Sequence, residues 1–161
     1  MPKILSNTQV RQYHEQGYCH PFDVLTTDEA ASYLDKLEAY EGASGGPIDG
    51  VYRHKPHLLF PWLHDLVNHP QVLDAVEDVL GQNILCWGSS FFNKEAQNPA
   101  YVSWHQDSNY WGLDRHDVCT AWIAFTASNK LNGCMRMIPG ESRSNTTESV
   151  PSSELYQYRP D

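Results

Sequence analysis

Residues 84–92 read ILCWGSSFF, and the fold turns on how that run is read. It follows Gly81, and the sequence changes character across that glycine. Upstream, apolar residues recur at three-to-four spacing, the mark of helices with one buried stripe. From residue 84 on, short runs rich in β-branched and aromatic residues alternate with turn signals, the mark of strands.

Working backwards from Gly81, Pro70–Leu80 and Pro61–Asn68 read as helices opened by proline. EGASGGPIDG (41–50) reads as a loop. The segment Thr26–Tyr40 is the clearest helix, with Thr27 ahead of an acidic first turn and a stripe of Ala30, Tyr33, Leu34 and Leu37. Thr8 is the expected cap of a first helix that runs to about Gln16 and stops at Gly17.

Working forwards, YVSWH (101–105), VCTAWIAF (118–125) and CMRMI (134–138) read as further strands, with Asn132-Gly133 turning tightly into the last. Beyond Gly140 the chain is polar. The expectation is an α+β protein in one domain, 1–161. It has a helical lead-in (1–81), the beginning of a β-sandwich or jelly roll (82–140) and a polar tail (141–161).

Composition narrows the class. Of the 161 residues 40% are hydrophobic, enough for one globular core. Twenty acidic residues against 11 basic give a net charge of −9, which disfavours nucleic acid and anionic membrane as partners. The N-terminus lacks an apolar stretch of signal-peptide length, and no segment approaches membrane-spanning length. Cys19, Cys86, Cys119 and Cys134 form no C-x-x-C pair, so reduced thiols in a cytoplasmic protein are expected.

The chemistry concentrates in WHQDSNYWG (104–112). In an extended segment, side chains i and i+2 leave the same face, so His105 and Asp107 converge. An imidazole nitrogen and a carboxylate oxygen suit a divalent first-row metal. The plain alternative is a hydrogen-bonded surface pair. Tyr110 and Trp111 follow and are candidates to wall a substrate pocket, or equally to pack in a sandwich core. His54 and His57 are candidates for the pocket mouth. Trp122 shares a face with Thr120 and Ala124 by alternation.

FFNKE (91–95), VSWHQDSNYWGL (102–113), DVCTAWIAF (117–125) and NGCMRMIPG (132–140) together resemble the phytanoyl-CoA dioxygenase family. PHLLFPWLHDLVNHP (56–70) resembles the helical lead-in of its bacterial members. The likeness runs from about residue 8 to residue 140, and the ordered set of motifs is more specific than any one of them. It implies an oxidoreductase on a cupin-like double-stranded β-helix, using Fe(II) and 2-oxoglutarate as cosubstrate to hydroxylate a small organic molecule. His105 and Asp107 match two metal ligands of that family, and a carboxylate at 107 favours hydroxylation over halogenation. Lys94, Thr120 and Trp122 fall where the cosubstrate is bound, and Tyr110, Trp111 and His57 where the substrate pocket would lie.

The family pattern also calls for a later histidine and an arginine. No histidine follows His116, and only 21 residues follow Gly140. Four further strands of about five residues, joined by turns of about four to six, need roughly 40. Arg143 and Arg159 lie outside any strand pattern resembling the family's anchor. The expectation is therefore an incomplete chain: part of a longer dioxygenase, or else an inactive short form acting as a binding or scaffold protein, or half of a split enzyme. Self-association through open sheet edges would follow.

Overall fold

The computed structural model describes residues 1–93, 101–114 and 117–140. Four α-helices lead the chain: α1 (Asn7–Gln16), α2 (Thr27–Ser44), α3 (Pro61–Val67) and α4 (Pro70–Leu80). The two that open without proline start at reciprocal capping boxes. Ser6 accepts from the Gln9 backbone N–H while the Gln9 side chain accepts from the Ser6 N–H, and Thr26 and Glu29 repeat the arrangement.

These caps correct the sequence reading by a residue or two. Thr8 and Thr27 lie inside their helices, because the partner three residues on is Gln9 from Ser6 and Glu29 from Thr26. Helix α2 also passes Tyr40 and takes in residues 41–44 of the expected loop. A mid-helix glycine such as Gly42 costs only about 1 kcal/mol against alanine. The stop comes at Gly45, whose left-handed backbone (φ 78°) returns its N–H to the Glu41 carbonyl. The two proline-opened helices stand where the pattern put them.

The buried core belongs to this helical part: Leu5, Leu37, Ile48, Pro56, Leu63, Leu66, Val72 and Ala75. Its N-terminal edge is pinned by one carboxylate. Asp78 on α4 accepts the backbone N–H groups of Lys3, Ile4 and Leu5 at 2.6–2.9 Å. Burial opposes its charge, but those donors outweigh it and hold the carboxyl below its usual range.

A ladder of rings joins the helices to the later chain. Tyr40 meets Phe60, Phe60 meets Trp62, and Trp62 meets Phe91, at centroid distances of 4.9, 6.1 and 6.2 Å. Tyr33 of α2 touches both Trp62 and Phe125. Near residues 55–57, Ser89 fastens the run 84–92. Its carbonyl accepts the Lys55 N–H at 3.1 Å, and its hydroxyl lies 2.6 Å from His57 Nδ1.

Among the described residues the runs 84–92, 101–105, 118–125 and 134–138 form neither helices nor a hydrogen-bonded sheet. Two points of the run 118–125 meet the helices. Tyr13 of α1 donates to the Val118 carbonyl at 3.4 Å and Phe125 stacks on Tyr33 of α2, while Trp122 keeps 41% of its surface exposed. A turn at 130–133 precedes the last run, closed by Asn132 and Cys134 donating to the Asn129 carbonyl.

Candidate functional site

His105 and Asp107 straddle the point where an extended residue gives way to a 3₁₀ turn, Asp107–Tyr110. Gln106 between them is extended (φ −113°, ψ 120°), so the two side chains leave on one side, as the i, i+2 spacing requires. His105 Nε2 lies 3.1 Å from Asp107 Oδ1.

The protons of this pair follow from its neighbours. His105 Nδ1 is 2.7 Å from the Ser103 carbonyl oxygen, which can only accept, so Nδ1 carries a proton and donates it. In a neutral ring Nε2 then offers a lone pair, and it faces an ionised carboxylate that also only accepts. Two lone pairs held this close call for a cation: a second proton on the ring or a metal ion. Two bonds of about 2.1 Å at a right angle set their donor atoms about 3.0 Å apart. The observed spacing fits adjacent positions around one first-row metal. A backbone carbonyl on the far ring nitrogen is the usual way such a ligand is oriented.

The other carboxylate oxygen is also claimed. Thr120 Oγ1 donates to Asp107 Oδ2 at 3.0 Å. Tyr110 presents its ring edge-on to the His105 ring, centroids 5.9 Å apart and planes at 72°. The structure thus brings together His105, Asp107, Thr120 and Tyr110, with Trp111 capping the same turn. Trp122 lies two residues beyond Thr120 and is 41% exposed. Lys94 lies outside the described residues.

His57 has its hydrogen bonds on Ser89, and among the described residues no hydrogen bond or ring contact joins it to His105 or Asp107. Its ring is buried, and burial pushes the imidazole below its ordinary range, with His64 and Lys55 adding to the effect. It lines an open cleft of about 340 Å³ with Leu58, Leu59, Phe60, His64 and Asp65. Among the described residues, no group of three or more His, Cys, Asp or Glu side chains gathers in a metal-binding cluster. Ser103 escaped the sequence reading altogether, since any residue's carbonyl would serve and nothing in the letters marks it.

Comparison with known proteins adds an independent line. The profile of the family described as phytanoyl-CoA dioxygenase matches residues 13–154. The ectoine dioxygenases of Bordetella bronchiseptica and Bordetella parapertussis are each 25% identical over 154 residues, covering 86% of this chain and 50% of their own. A probable phytanoyl-CoA dioxygenase of Caenorhabditis elegans is 31% identical over 87 residues, covering 50% of this chain and 28% of its own. The chain therefore spans about half the length of the ectoine dioxygenases it matches. No solved structure matches it significantly. Among the described residues, no helix is long and apolar enough to cross a membrane.

Proposed function

The chain belongs to the phytanoyl-CoA dioxygenase family, and on that premise we propose that it carries the metal-binding half of an Fe(II)- and 2-oxoglutarate-dependent hydroxylase. The supporting observation is the pair His105 Nε2 and Asp107 Oδ1, 3.1 Å apart, with the far ring nitrogen committed to Ser103. When bound, iron and 2-oxoglutarate supply oxygen activation, one atom of O₂ ending in succinate and the other in a C–OH group as CO₂ leaves.

The chain's own residues hold and shield. His105 and Asp107 would hold the ion, and a site of this ligand type would keep further positions for cosubstrate and oxygen. Trp122 walls the cosubstrate side, and Lys94 is proposed as a cation for its distal carboxylate. Tyr110 and Trp111 would flank the substrate side. The relatives are named for different substrates, ectoine and phytanoyl-CoA. The reading accordingly extends only to the class they share, a small organic molecule with an unactivated C–H bond. A jelly roll whose strands 84–92, 101–105, 118–125 and 134–138 form its first half is the proposed frame.

A second reading is a binding or scaffold protein that keeps the pair without the reaction. It draws on the lack of a three-ligand cluster among the described residues. Succinate formation from 2-oxoglutarate with Fe(II) and ascorbate separates the two. Turnover that disappears in His105→Ala and Asp107→Ala supports the hydroxylase. Metal binding without succinate supports the scaffold, and metal binding unchanged in both variants overturns the site itself.

A further inference from the structure

A carboxylate beside a metal has two oxygens and a soft terminal torsion, so something must decide which oxygen faces the ion. Asp107 is partly open to solvent, with 46% of its side chain exposed, and packing alone does not hold it. One side chain does. Thr120 Oγ1 donates to Oδ2 at 3.0 Å and leaves Oδ1 as the atom turned to His105 Nε2.

The hydroxyl is well placed to impose this. Threonine is branched at Cβ and stiff in χ1, so its hydroxyl wanders less than a serine's. Its backbone is set from the opposite face. Tyr13 of α1 donates to the carbonyl of Val118 at 3.4 Å, and Phe125 stacks on Tyr33 of α2. The helical part thereby fixes where residues 118–125 lie, and that fixes where Thr120 meets Asp107, thirteen residues earlier in the chain.

We propose that Thr120 is the positioning residue of the metal pair: it ties back Asp107 Oδ2 so that Oδ1 alone faces the ion beside His105 Nε2. The family resemblance places Thr120 near the cosubstrate, and the hydrogen bond ties its hydroxyl to Asp107. This inference rests on the metal-site reading above.

The test is titration of the full chain with Co(II), followed by its ligand-field absorption, in the absence of 2-oxoglutarate. Thr120→Val keeps the shape and removes the donor, and should weaken Co(II) binding about 10–100-fold, the usual effect of losing a ligand's outer partner. It should also change the absorption of the bound ion, because the freed carboxylate can offer both oxygens. Thr120→Ser keeps the donor and should hold most of the affinity and the wild-type spectrum. Thr120→Val binding Co(II) like the wild type, with His105→Ala and Asp107→Ala unable to, overturns the positioning role and leaves the metal site standing. Co(II) binding that ignores all three substitutions overturns the metal site and this role with it. Should Thr120→Val fail to fold, Thr120→Ser decides alone: a tenfold loss there, with the hydroxyl retained, refutes the proposal.

Discussion

Tyr33 and Phe125 stack with ring centroids 5.6 Å apart and planes within 15° of parallel. Ninety-two residues separate them in sequence, and their contact is one of the few that fix the later chain on the helices. Offset aromatic pairs contribute about 0.5–1.5 kcal/mol beyond the area they bury. Phe125→Ala should therefore cost about 2–3 kcal/mol, less than the about 3–5 of a fully buried ring because Phe125 keeps some exposure. Urea denaturation with a lowered midpoint and an unchanged slope checks it. A shift within error would mean that the ring ladder does not hold the two parts together.

Asp78 should make the protein acid-sensitive. Its folded-state carboxyl lies below the unfolded value, so its contribution is fully present above the usual carboxylate range near pH 4 and is lost as pH falls through the lower folded value. Asp78→Asn turns an amide donor toward N–H groups that need an acceptor. It should lower stability at pH 7 by about 1 kcal/mol or more and flatten the acid limb of the stability curve. Melting temperatures from pH 7 to pH 3 show this as two curves converging at the acid end. Parallel curves would contradict it.

The helices were legible because their signals are local. Pro61, Pro70, Gly17 and Gly81 punctuate the chain within a turn of the residues they govern. The caps were misread by a residue or two, Thr8 for Ser6 and Thr27 for Thr26, and the Gln9 or Glu29 three positions beyond the true cap is what decides. The approach of His105 to Asp107 was legible for the same reason, since it needs only one extended residue between them. Thr120 on Asp107 was not, because a hydrogen bond across thirteen residues depends on tertiary placement that no local period encodes.

His57 gives a second pH effect, higher on the scale. Burial favours its neutral ring, so the unfolded chain takes up a proton near pH 6.5 before the folded one does. Stability is full above that pH and declines as pH falls through it toward the lower folded value. His57→Gln should remove the part of the slope between about pH 7 and pH 5.5 while leaving the Asp78 limb in place. The measurement is the difference in melting temperature between those two pH values, wild type against variant. An equal difference in both would assign the slope to other groups.

The exposed apolar side chains of the later chain should drive self-association. Leu85 and Val102 are 86% and 69% exposed, and Trp122, Met135 and Met137 are each more than two-fifths exposed. Contiguous apolar surface rarely stays bare in a monomer. Copies carrying a net charge of −9 repel each other, and salt screens that repulsion while leaving apolar contact intact. Association should therefore strengthen with ionic strength, the reverse of an assembly held by ion pairs. Light scattering behind size-exclusion chromatography should give a mass above 18.3 kDa that rises with protein concentration and with added salt. Leu85→Lys with Val102→Lys should bring the mass back toward the monomer. A sharp monomer at both low and high salt would show instead that this surface is covered within a single chain.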